Sequence, residues 1–162
     1  MRKRKAAILL LAAILGVSIS ACVDPSLPPD TAEVEKPGSF TSVEGQQLKM
    51  TSGEVEVVIT LNSSRAAADL VSMLPLEMEL IERNDFAKGM TLPKHLSNSE
   101  ATTREYEIGD FGYWDAGPDL AIFYGDIYEQ TIVEVIPLGH AAEGAEQMAN
   151  CMGAVRLELV EK

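Results

Sequence analysis

Few side chains of the kinds that carry enzymatic chemistry occur in this chain, and their spacing argues against a metal site or a nucleophile. The two histidines, His95 and His140, stand 45 positions apart, with no cysteine or carboxylate around them at the spacing of zinc ligands. Cys151 lies in an apolar, helix-like stretch with no basic neighbour to activate its thiol. Ser63 and Ser64 fit the start of a helix better than a nucleophile elbow. We therefore predict no metal, no cofactor and no catalytic residue.

Aromatic residues form the second group of interest, because they could bind a ligand. Seven of them fall within 23 positions: Tyr106, Phe111, Tyr113, Trp114, Phe123, Tyr124 and Tyr128. They could wall a groove for a peptide or a small apolar ligand, and ordinary barrel core is the competing interpretation. Lys88, two residues after Phe86, adds a cation that could reach the mouth of a pocket. The predicted ligand-binding residues are Phe86, Lys88, Tyr113, Trp114, Phe123 and Tyr124.

The amino terminus has the three-part layout of a secretory signal peptide. Four basic residues at positions 2–5 precede an apolar run at 6–17, which is too short for a spanning helix of ~20 residues. Ile19-Ser20-Ala21-Cys22 then resembles the lipobox of bacterial lipoproteins. We predict that residues 1–21 are removed and that Cys22 is acylated, which anchors the protein to the outer face of a bacterial membrane. The alternative is an ordinary signal peptide that happens to meet a cysteine.

Composition after the lipobox indicates a tether, and the charge excludes one class of partner. Residues 22–45 carry four prolines and several acidic residues without apolar periodicity, so we predict a flexible tether there and one domain at 46–162.

The chain has a net charge of −12. Removal of the four basic residues of the signal peptide would leave 9 basic and 25 acidic residues, a net charge of −16. Such a surface repels nucleic acid and anionic lipid headgroups, so we predict membrane contact through lipid alone.

Hydrophobic periodicity predicts many short strands and two short helices in the domain. The alternating segments indicate strands at 54–61, 76–80, 105–108, 111–114, 120–124, 132–138 and 155–159. Helices are predicted at 65–74, ending before Pro75, and at 142–152. Residues 83–103 are predicted to form a long loop. Without regular alternation of strand and helix, the pattern favours a mostly-β domain that closes into a barrel.

Alternation within 120–124 gives an expectation for the barrel wall. Leu120, Ile122 and Tyr124 share one face of this predicted strand, and Ala121 and Phe123 share the other. A closed barrel buries its inward face, and its outer face is buried only where something covers it. We expect one of Ile122 and Phe123 to be deeply buried, and the other to be covered by a helix or left partly exposed.

Three segments resemble the bacterial cyclophilin-like domain proteins. The first is Leu61-Asn62-Ser63-Ser64-Arg65-Ala66-Ala67-Ala68-Asp69-Leu70 with Met73-Leu74-Pro75-Leu76, a short helix followed by leucine-proline. The second, at 108–125, contains a Gly-Asp-x-x-Tyr-Trp-x-x-Gly-x-x-Leu-Ala-Ile-Phe-Tyr-Gly block. The third is Pro137-Leu138-Gly139 followed by a predicted helix. The resemblance spans about residues 47–161 and implies a small closed β-barrel of cyclophilin-like topology.

This resemblance does not imply peptidyl-prolyl isomerase activity. True cyclophilins carry an arginine within a Phe-x-x-x-x-Arg stretch and a Gln-Gly-Gly-Asp run, and neither occurs here. The arginines Arg65, Arg83, Arg104 and Arg156 all stand in other contexts, so the cation that stabilises the twisted prolyl amide is not identified. Three functions stay open: a tethered module that binds a small ligand or a peptide, a divergent prolyl isomerase of the cell envelope, and a structural envelope protein.

Overall fold

A computed structural model describes residues 40–161 of the chain. The predicted signal peptide, the predicted lipidation site Cys22 and most of the predicted tether lie outside the described residues. Packing begins ahead of the first strand, because Val43 is buried and belongs to the main hydrophobic core. No helix in this part of the chain is long and apolar enough to cross a membrane.

Eight strands, one α-helix and one 3₁₀-helix make up residues 40–161. In chain order they are β1 (Gln47–Ser52), β2 (Val55–Leu61), α1 (Arg65–Val71), β3 (Leu76–Arg83), β4 (Ala87–Thr91), β5 (Asp110–Trp114), β6 (Asp119–Phe123), β7 (Ile136–His140), the 3₁₀-helix (Ala145–Asn150) and β8 (Gly153–Leu159). The strands close into an antiparallel barrel in the order β1-β2-β7-β5-β6-β4-β3-β8. The predicted fold class, a mostly-β closed barrel with two short helices, is confirmed.

The barrel core follows from strand alternation, and both helices contribute to it. Val57, Ile59 and Leu61 of β2 point inward and are almost fully buried. Ser64 caps the amino terminus of α1, because its Oγ accepts a hydrogen bond from the backbone N–H of Ala67 at 3.1 Å. Its buried residues, and those of the 3₁₀-helix, join the same core as the strands: Ala66, Ala67, Leu70, Ala145 and Met148.

Four sequence-based assignments were wrong or incomplete. The predicted strand 105–108 is a loop that ends in a turn, and the predicted long loop 83–103 contains β4. Strand β1 was not predicted, and the predicted strand at 132–138 begins later, at Ile136. In β4 the outward residues include Ala87 and Gly89 and the inward ones include Lys88, so the usual alternation of apolar and polar side chains is absent.

The expectation for Ile122 and Phe123 was half right. Ile122 is fully buried in the main core. Phe123 is also buried, at 3% exposure, but in a second cluster with Phe86 and Ala87. Tyr106 packs against this cluster, so aromatic loop residues rather than a helix cover the outer face of β6.

The two shortest of the eight ladders lie on opposite sides of the single closed barrel and delimit two four-strand halves, called here the first and the second sheet. β2 pairs with β7 through two residue pairs, and β3 pairs with β4 through three, Ile81–Arg83 opposite Ala87–Gly89. One sheet therefore contains β3-β8-β1-β2 and the other β7-β5-β6-β4. The second sheet comes from one continuous segment of the chain, residues 87–140.

Candidate functional site

A groove of about 210 Å³ lies on the outer face of the second sheet. Since Lys88 and Met90 of β4 and Leu120 and Ile122 of β6 face the barrel interior, the intervening residues face outward. Three of these outward residues, Ala87, Gly89 and Ala121, are small and line the groove. The groove thus lies on the barrel wall and not in its lumen.

The depth of the groove comes from a row of small residues that crosses three strands. Ala121 pairs with Gly89 on one side and with Gly112 on the other. The Arg83 side chain rests on Gly89, where a Cβ atom would lie 2.7 Å from Nε. Val135 rests on Gly112, where a Cβ atom would lie 3.3 Å from its Cγ2 atom. Arg83 and Val135 therefore form opposite walls, and Ala121 forms the open floor between them.

Aromatic rings close one end of the groove. The rings of Phe86 and Phe123 lie 5.5 Å apart, and Phe86 also packs edge-on against Tyr106 and Tyr128 at 5.2 Å each. The Tyr106 hydroxyl donates to the Tyr128 carbonyl at 2.9 Å and accepts from its N–H at 3.1 Å. The aromatic end is therefore fixed before any ligand arrives.

Trp114 and an ion pair close the other end. The indole ring of Trp114 packs on Gly117, where a Cβ atom would lie 2.3 Å from Cζ3. The Arg83 guanidinium donates from Nη2 to Asp119 Oδ2, and the Thr91 hydroxyl donates to Asp119 Oδ1 at 2.6 Å. Asp119 is buried, whereas the Arg83 side chain is 41% exposed. Within residues 40–161, Nη1 and Nε of Arg83 have no hydrogen-bond acceptor.

A strap formed by residues 131–135 supplies the long apolar wall of the groove. Its ends are bonded to a neighbouring loop: Thr131 N–H donates to the Arg104 carbonyl at 2.8 Å, and Val135 exchanges two bonds of 2.9 Å with Thr103. The Thr131 hydroxyl donates to the Val133 carbonyl at 2.6 Å. Between these ties, Ile132 is 67% exposed at the groove rim.

Three of the six predicted ligand-binding residues, Phe86, Trp114 and Phe123, line this groove. Tyr113 points inward and is fully buried. Its hydroxyl accepts from the Leu96 N–H at 3.2 Å and donates to Asp115 Oδ1 at 2.9 Å, and burial raises its pKa. Tyr113 therefore holds the 92–100 loop against the barrel and does not line the groove.

Lys88 and Tyr124 lie away from the groove, around Glu82. Lys88 was predicted to lie in a long loop. It lies instead in β4, and its side chain is 4% exposed. Its Nζ contacts Glu82 Oε2 at 2.5 Å, and the Tyr124 hydroxyl donates to Glu82 Oε1 at 2.8 Å. Burial alone would raise the pKa of Glu82, but the hydrogen bonds from Lys88 and Tyr124 lower it below its ordinary value. Burial and the bond to Glu82 raise the pKa of Tyr124 to about 12.

Arg83 is one of the groove residues that the sequence analysis did not identify. The signal was Asn84-Asp85, since these residues tolerate left-handed backbone and often form hairpin turns. Both have positive φ, 52° and 59°, between β3 and β4. A hairpin at this point would have brought Arg83 beside Gly89.

Among residues 40–161, no group of three His, Cys, Asp or Glu side chains could hold a metal ion.

Comparison with known proteins gives one family and two similar structures. A family model described as the cyclophilin-like family matches residues 50–160. The solution structure of the hypothetical protein AF2241 from Archaeoglobus fulgidus is similar, with a TM-score of 0.61 and 18% identity, over 74% of this chain and 98% of that one. The structure of McbB in complex with tryptophan gives a TM-score of 0.60 and 12% identity, over 72% of this chain and 45% of that one. Curated protein sequences gave no match.

Proposed function

The chain belongs to the cyclophilin-like family, and from this premise we propose that it is an extracytoplasmic lipoprotein whose barrel binds one bulky apolar group. The group would be a small apolar ligand or one side chain of a peptide. The observation that carries the proposal is the groove over Ala121, which is lined mainly by apolar residues and walled by Arg83 and Val135.

The size and rigidity of the groove support this ligand class. Its volume of about 210 Å³ is below the range of about 300–1,000 Å³ that is typical of sites for drug-sized ligands. A single ring or large side chain is the matching occupant. Because the aromatic end is already packed and the strap is tied at both ends, little ordering is needed on binding. The tryptophan named for the McbB complex is a ligand of this size class.

The anchor is supported by the sequence alone. The cationic segment, the short apolar run and Ile19-Ser20-Ala21-Cys22 have the order that a lipoprotein precursor requires. Acylation of Cys22 would hold the barrel at the outer face of a bacterial membrane through a tether that is rich in proline and acidic residues. The groove would then face the space outside that membrane.

A groove-filling variant tests the binding proposal. Trp114 is the only tryptophan of the chain and lines the groove, so its fluorescence can follow binding of cyclohexanol, benzyl alcohol or a tryptophan-free peptide with a central Phe. Ala121→Leu should weaken binding at least about tenfold, or about 1.4 kcal/mol, because the new side chain occupies the floor. Ala154→Leu, an exposed position on β8, is the matched control. Equal binding by both variants, or no binding by the parent chain, would refute the proposal.

A second candidate, a divergent prolyl isomerase, is favoured by one observation. The Arg83 guanidinium lies against the apolar groove with N–H groups that no acceptor occupies within residues 40–161. A donor in that place could stabilise the twisted prolyl amide. The structural envelope role has no comparable observation in its favour.

A further inference from the structure

We propose that the occupant of the groove is a cationic stretch of polypeptide that inserts one bulky apolar side chain. This inference rests on the proposed function and names its ligand class. The carrying observations are the acidic residues next to the groove lining and three backbone N–H groups of the strap that have no acceptor within residues 40–161.

Acidic side chains stand next to the lining residues of the groove. Asp85 lies between Asn84 and Phe86, and Glu134 lies between Val133 and Val135, all four of which line the groove. Asp85 and Glu134 are exposed and form no ion pair with any residue between 40 and 161. Glu134 Oε2 accepts a hydrogen bond from the Thr102 hydroxyl at 2.8 Å. Because this partner is neutral, the charges of both carboxylates remain uncompensated and can attract an approaching cation.

Basic residues near the groove do not offset this charge. Arg83 is neutralised by its pair with Asp119, and Lys88 is turned away to Glu82. Arg104 is bonded to the strap, because its Nε donates to the Thr131 carbonyl at 2.8 Å. Two acidic residues, Glu105 and Glu107, follow it closely in the chain. Across residues 40–161 there are 21 acidic and 7 basic residues. A ligand that carries lysine or arginine beside its apolar group is the complementary partner.

The strap favours a polypeptide over a small molecule. Backbone N–H groups of Ile132, Val133 and Glu134 donate to no acceptor in the described part of the chain, although they lie at the rim of an apolar groove. A peptide carries backbone carbonyl groups beside its side chains, and these can accept hydrogen bonds from N–H groups of the strap. An anionic membrane surface would be repelled by the same acidic rim.

The test measures Trp114 fluorescence of the full chain with four tryptophan-free nonapeptides. One has a central Phe between two pairs of Lys, and the others replace the Lys by Glu, replace the Lys by Ser, or replace the Phe by Gly. At about 10 mM salt, where the Debye length is ~30 Å, the Lys–Phe peptide should bind at least about tenfold more tightly than the Glu–Phe peptide. At 1 M salt, where the Debye length is ~3 Å, the two affinities should converge. The Gly peptide should bind far more weakly.

A pair of variants locates the effect. Asp85→Asn with Glu134→Gln should lower the affinity for the Lys–Phe peptide several-fold at low salt, and asparagine suits the left-handed backbone of position 85. Glu44→Gln with Glu54→Gln makes the same charge change beside β1, across the barrel from β6, and should leave the affinity unchanged.

The outcomes separate this inference from the proposed function. If Lys–Phe and Glu–Phe peptides bind alike, or if only ring alcohols bind, the apolar groove stands and the cationic-peptide inference is overturned. If the chain binds vesicles of phosphatidylglycerol but none of the peptides, a membrane ligand replaces it. If no peptide and no ring alcohol binds, both proposals fail.

Discussion

The pairing of Lys88 with Glu82 places a cation inside a barrel wall, where an uncompensated charge would be costly. The ammonium contacts Glu82 and lies 5.5 Å from the centre of the Tyr124 ring. Glu82 is 42% exposed, so water compensates part of the pair and its contribution is smaller than that of a fully buried one.

The variant Glu82→Gln should show how much this pair contributes to the free energy of unfolding and how that contribution changes with pH. The folded-state pKa of Glu82 is lowered, so its contribution to stability is present above the unfolded value of about 4.3 and is lost as pH falls through the lower folded value. At pH 7 the variant should lose about 1–2 kcal/mol in urea unfolding, after discounting for exposure. The difference should shrink as the pH falls through the lowered folded-state pKa of Glu82. Glu79→Gln, exposed on the same strand, should show neither effect.

Arg83 decides between binding and catalysis. We expect the chain to leave prolyl cis/trans exchange of a test peptide near the uncatalysed time of tens to hundreds of seconds. If exchange is accelerated, Arg83→Lys should reduce the acceleration by about 10²-fold, whereas Arg104→Lys should not. That result would establish the isomerase and displace the pure binding module.

At the scale of elements, β6 carries the core on one face and the groove on the other. Ile122→Ala should cost about 2–4 kcal/mol, and Phe123→Ala about 3–5 kcal/mol, in urea unfolding. Because Phe123 also closes one end of the groove, its truncation should weaken binding of the Phe-centred peptide. Ile122→Ala should leave the affinity of the folded protein unchanged. Two small and equal stability losses would contradict the assignment of this segment to the barrel wall.

Strands were predictable where one face is apolar and the other polar, as in β2 and β8. β4 was not, because its outward face must be small to form the groove floor and its inward face contains Lys88. Residues 105–108 alternate like a strand, but the Tyr106 ring packs on Phe123 at 4.8 Å in place of strand pairing. Phe86, Trp114 and Phe123 could be predicted from residue type alone. Arg83 could not, since its position depends on the β3–β4 register.

At the scale of the whole molecule, the proposed lipid anchor would place the groove outside a bacterial membrane. Cys22→Ser should leave an exported protein without acyl chains, which partitions into the aqueous phase of a detergent extraction or keeps its precursor mass. The parent chain should partition into the detergent phase, because several acyl chains at ~0.8 kcal/mol per CH₂ hold it there. A variant that is still acylated would overturn the lipoprotein proposal.

The barrel should open locally at its two shortest ladders. Each half of four strands can act as a separate cooperative opening unit. Among the amide protons of the ladders, those of β2–β7 and β3–β4 should exchange with deuterium first. The groove crosses one of these ladders, since Arg83 belongs to the first sheet and Ala121 to the second. A bound ligand would therefore contact both units and hold them together. Its binding should slow hydrogen exchange at Ile81–Arg83 and Ala87–Gly89.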